Sequence, residues 1–79
     1  MSRKQSLLHQ LKDELVIEKL TRLTFPPRPD EHKRSIHEIN TLVWILVEEC
    51  TIQPEEWPPD IRGLLLDYNE NVLRYQKDE

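Results

Sequence analysis

The chain has one cysteine, one glycine and no long apolar run, and each scarcity excludes something. With Cys50 alone an internal disulfide is impossible, and no Cys/His cluster is spaced for a structural zinc. A single glycine rules out a glycine-rich phosphate loop and argues against hairpins and tight turns. The longest apolar run, Leu42–Val47, is six residues. That is far short of the roughly 20 needed for a membrane span and below the apolar stretch of a signal peptide. The expected setting is therefore cytoplasmic. Repeats and low-complexity tracts are also absent.

Prolines, by contrast, are plentiful and clustered. Three fall in Phe25-Pro26-Pro27-Arg28-Pro29 and three in Gln53–Pro59. Proline removes a backbone donor and pushes the preceding residue toward extended geometry, so each cluster is a stiff joint between helices. The 79 residues form one domain, 1–79, divided by these joints into three helical segments at about 4–23, 31–51 and 60–76.

In the first segment Leu8, Leu11 and Leu15 share one helical face, and Val16, Leu20 and Leu23 form a second stripe around the helix. Two stripes imply two neighbours. In the second segment Asp30 reads as the N-cap, leaving Ser35 inside the helix. Ile36, Ile39, Val43, Leu46 and Cys50 keep a heptad rhythm, while Leu42, Trp44 and Ile45 make the middle apolar nearly all round. A strand over Thr41–Ile52 suits its residue types but finds no partner strand. The third segment has Asp60 as N-cap and the clearest amphipathic series, Ile61, Leu64, Leu65, Tyr68, Val72 and Tyr75, with Leu66 and Leu73 on a separate edge. Phe25 and Trp57, one in each joint, are expected to pack against helix ends.

The fold class is thus all-α, a three-helix bundle. So small a domain buries a limited core and commonly draws further stability from a partner chain. More apolar helix surface is present than three helices readily cover, so completion by dimerisation is expected. Leu8, Leu15, Leu20, Trp44, Leu66 and Leu73 are the candidate contact residues, on a second copy, another protein or both.

Charge is divided unevenly. Residues 1–34 carry eight Lys/Arg against five Asp/Glu; residues 35–79 carry three against ten. Either the acidic half docks a basic partner, or the first helix neutralises the other two within one unit. A metal-binding bundle or enzyme would have to use Glu48, Glu49, Asp67 and Glu70, yet no histidine stands at the spacing such sites use. His9, His32 and His37 read as surface residues and Cys50 as a small buried hydrophobe. Arg28, His32, Lys33 and Arg34 make a short basic cluster, but Asp30 and Glu31 interrupt it and the overall charge of −4 opposes nucleic-acid binding. What remains is a small non-enzymatic interaction factor, regulatory, adaptor or inhibitor-like, needing no cofactor and no metal.

Overall fold

Ser2 opens the first helix: its Oγ accepts a hydrogen bond from the Gln5 backbone N–H at 3.2 Å, satisfying one of the donors that a helix start leaves free. The computed structural model describes residues 2–77, with side chains as far as Val72. Helix α1 (Arg3–Leu23) ends where Thr24 turns extended ahead of the Phe25–Pro26 peptide, which is cis. Helix α2 (Pro29–Trp44) starts two residues before the expected position. Arg28, not Asp30, precedes it, because proline's fixed φ already suits the first helical position. Asp30 and Glu31 then lie in the first turn, where the helix dipole favours acids.

The last turn of α2 widens. Residues Ile45–Glu49 form a π-turn, closed by Cys50 N–H donating to Ile45 O at 3.0 Å. Ile52 N–H reaches Leu46 O at 3.0 Å, while Thr51 between them takes a positive φ of 50°. This is the left-handed stop that helices usually assign to glycine, here carried by a β-branched residue. A short 3₁₀ turn, Pro54–Glu56, follows. Helix α3 (Pro59–Lys77) also begins on a proline, with Pro58 O accepting from Arg62 N–H at 2.9 Å. Asp60 therefore sits inside the first turn instead of before it. Among the described residues there is no strand.

The chain runs up, down and up. Arg3 and Lys4 meet Glu49 and Glu56, so α1 and α2 are antiparallel; Lys12 meets Asp60 and Arg22 meets Asp67, so α1 and α3 are parallel. Helix α1 packs against both others, whereas no Cα of α2 comes within 8 Å of a Cα of α3 among the described residues. Leu11 and Leu15 of α1 meet Ile39, Leu42 and Leu46 of α2 and Ile61, Tyr68 and Val72 of α3, with Ile52 closing one end. Each such large apolar side chain contributes roughly 2 kcal/mol on burial. Trp57 packs on this core from the second joint, but Phe25 does not pack on a helix end: it is 91% exposed.

Two neighbours for α1 are present, but both lie on one face. The core-facing row runs Leu11, Leu15, Glu18, Arg22, so its lower half is charged. The stripe of Val16, Leu20 and Leu23 points away from both helices and stays exposed.

Candidate interaction surfaces

Where α1 ends and α2 begins, the three helices are tied by a buried polar cluster. Glu18 is 1% exposed, and its Oε2 lies 2.7 Å from His32 Nε2 on α2. Because a carboxylate only accepts, Nε2 is the donating ring nitrogen. Arg22, one turn on and with its side chain 8% exposed, reaches Asp67 Oδ2 on α3 at 2.7 Å. Its Nε stands 3.3 Å from Glu18 Oε2, near enough for charge attraction but not aligned as a hydrogen bond. The hydrogen bond from Arg22 holds the Asp67 carboxyl below its ordinary range, and Asn71 donates to the same side chain. His32 is accordingly a partly buried member of this cluster, not a surface histidine. Hydropathy does not find it, since the core row of α1 is continued by charged residues. The sequence signal is the i,i+4 pair Glu18/Arg22, in phase with Leu11 and Leu15.

Part of the uneven charge is answered within the molecule. Arg3–Glu49, Lys4–Glu56, Lys12–Asp60 and Arg22–Asp67 join α1 to the acidic half at 2.7–2.9 Å. The same pairing engages two of the four carboxylates considered for metal binding, Glu48, Glu49, Asp67 and Glu70. Glu49 is held by Arg3 and Asp67 by Arg22, and those two arginines are separated by roughly 28 Å of helix. Among the described residues no three His, Cys, Asp or Glu side chains stand together as a metal site would require. In the basic cluster, Arg28 pairs with Glu31 at 3.4 Å and His32 with Glu18. Cys50 is a half-buried free thiol.

The six candidate contact residues separate into groups. Leu15 is 2% exposed, so the fold itself occupies it and a partner cannot reach it, whereas Leu8 packs against the core and is only partly buried. Leu20 is 62% exposed, Trp44 58%, and Leu66 is similarly open. Leu73 lies outside the described side chains.

Two apolar surfaces result. One is the outer stripe of α1, Val16, Leu20 and Leu23, continued in sequence by exposed Phe25. The other is a groove of about 550 Å³ between α2 and α3, where the two helices stand apart. Val43, Leu65 and Tyr68 line it together with Trp44, Val47 and Trp57. Tyr68 O–H bridges its base by donating to Asn40 Oδ1 at 2.9 Å. Trp44, one of the candidate contact residues, is exposed on the wall of this groove; the groove itself was not legible, because it depends on how far α2 and α3 splay.

Comparison of the chain with protein-family models, curated proteins and solved structures finds no match. No helix among the described residues is long and apolar enough to cross a membrane.

Proposed function

We propose that this protein is a small non-enzymatic interaction factor that presents apolar helix faces to other proteins, in a regulatory, adaptor or inhibitor-like role. One observation carries the reading. The fold gathers a core around α1 and pairs acidic side chains of the second half with cations of α1, yet leaves Leu20, Leu23, Phe25, Trp44 and Leu66 in water. Exposed apolar residues are ordinary when scattered, whereas gathered ones mark contact sites.

The α1 stripe suits a second copy of the chain. A stripe meeting its own copy about a twofold axis closes on itself and needs no other component. The homodimer would leave the α2/α3 groove open, because no residue of α1 lines it. The single free thiol, Cys50, fits a reducing, cytoplasmic setting.

The test compares the wild-type chain with Leu20→Glu and Trp44→Glu, each immobilised and exposed to a native extract, with circular dichroism to verify folding. A protein species retained by the wild type and lost on one of these substitutions is the expected result. Retention equal on all three folded chains, or no retention at all, refutes the reading.

A further inference from the structure

We propose that the groove between α2 and α3 docks one amphipathic helix of a different protein, its apolar stripe flanked by lysine or arginine. The proposal rests on the interaction reading above and names the partner of one of its surfaces.

Shape is the first argument. Helix α1 touches both neighbours, no described Cα of α2 comes within 8 Å of a Cα of α3, and the groove of about 550 Å³ between those two offers a seat for a fourth helix. The furrow is lined by aliphatic and aromatic side chains of both helices, and Trp44 and Val47 on its wall are each about half exposed. Insertion of an apolar helix face between such walls is a recurrent mode of recognition.

Charge is the second argument, and it selects the occupant. Among the described residues Glu48 is the one charged residue lining the groove. Glu55 lines the adjoining cleft, which shares Val47 and Trp57 with it. Neither acid has a cationic partner among the described residues, whereas Glu49, Glu56, Asp60 and Asp67 are all paired across α1. The cation nearest in that cleft, Arg62, is directed to the Pro54 and Trp57 carbonyl oxygens at 3.2 Å. Arg62 keeps its charge and offsets Glu55 within that cleft, which leaves Glu48 as the uncompensated charge on the groove itself. Like charges across an interface are costly, so an acidic helix is disfavoured and a basic one steered in.

A second copy fits this groove less well. The chain's own outward apolar stripe is on α1, which contributes nothing to the groove. Placing that stripe in a neighbour's groove is a head-to-tail contact, which closes only as a ring and otherwise grows into a filament.

Both tryptophans of the chain, Trp44 and Trp57, line the groove, so intrinsic fluorescence reports on it directly. The probes are two synthetic helical peptides of about 18 residues with leucine at i, i+3, i+4 and i+7, one flanked by lysine and the other by glutamate. The lysine peptide is expected to shift tryptophan emission to the blue saturably, at least about fivefold more tightly than the glutamate peptide and less so as salt rises. Val47→Glu, at a half-exposed wall position, should abolish the shift without altering the circular dichroism, and Glu48→Lys should reverse the peptide preference. Equal affinity for the two peptides, no saturable shift, or a blue shift produced by protein concentration alone would each overturn the proposal, the last by identifying a second copy as occupant. If neither peptide binds while Leu20→Glu still abolishes capture from extract, the groove assignment fails and the wider interaction reading stands.

Discussion

Glu18 and His32 meet at 2.7 Å across the α1–α2 seam, with the carboxylate almost wholly out of water. A buried carboxylate is tolerated only when it is partnered, and here His32 donates to Oε2 while the Arg22 guanidinium adds charge attraction at the same oxygen. Removing the carboxylate leaves the Arg22 charge with only Asp67 as counterion. Glu18→Ala should therefore cost about 3 kcal/mol, a large part of the roughly 5 kcal/mol a small domain commands. Glu18→Gln, which keeps the shape and an acceptor for His32, should lose less. Urea melts of the three chains decide it; a loss under about 1 kcal/mol for the alanine variant would mean that the cluster does not hold the helices together.

Acid should loosen the fold through the pairs that join α1 to the acidic half. Hydrogen bonds from Arg22, Lys4 and Lys12 lower the pKa values of Asp67, Glu56 and Asp60 respectively. A carboxyl with a depressed folded-state pKa stabilises the fold above its ordinary unfolded value, 3.8 for Asp67, and that contribution is lost as pH falls through the folded value. Stability is thus expected to be flat near neutrality and to fall below about pH 4. Asp67→Asn should lower stability at pH 6 and flatten the acid limb. Tyr68 acts at the other extreme: burial raises its pKa above 10.0, so stability falls as pH climbs from about 10 toward that raised value. Thermal melts across pH would test both limbs, and an acid limb unchanged in Asp67→Asn would contradict the assignment.

The three helices were legible because the apolar series Leu11/Leu15, Ile39/Leu42/Leu46 and Ile61/Tyr68/Val72 repeat at helical spacing and the prolines fall between them. Helix starts were misplaced by a residue or two, since Pro29 and Pro59 themselves open α2 and α3 and do not merely precede them. The charged half of the α1 core row was not legible. Hydropathy follows apolar residues, so after Leu15 it stepped sideways to Val16 and Leu20 instead of continuing to Glu18 and Arg22. The groove escaped for another reason. Trp44 read as a candidate contact residue and Val47 as part of a segment apolar nearly all round, but that both line one groove depends on the separation of α2 from α3.

Thr51 closes α2 in the left-handed region at φ 50°, where a β-branched side chain is strained by about 1–2 kcal/mol. Glycine avoids that strain but gives back part of the gain through its freedom in the unfolded chain. Thr51→Gly should therefore stabilise by roughly 0.5–1 kcal/mol, raising Tm by a few degrees for a domain of this size. Gly63 is the converse case. It lies within α3, and a Cβ there meets nothing within 4 Å, so Gly63→Ala should gain about 0.5–1 kcal/mol from helix propensity alone. Calorimetry that found either substitution destabilising would contradict the local geometry.

Leu15 and Leu20 sit five residues apart on α1 and should respond in opposite ways. Leu15 is enclosed by the core, so Leu15→Ala removes buried methyl groups, leaves a cavity and should cost about 2–5 kcal/mol. Leu20 faces water, so Leu20→Ala should change the stability of the monomer by no more than about 0.5 kcal/mol. Its effect should be on association instead. Light scattering of the wild type at micromolar concentration is expected to return twice the 9.5 kDa of one chain, and Leu20→Glu to return a single chain with an undiminished circular dichroism signal. A wild type that scatters as 9.5 kDa would remove self-association through the α1 stripe. A Leu20→Ala loss as large as that of Leu15→Ala would mean that α1 turns a different face to the core.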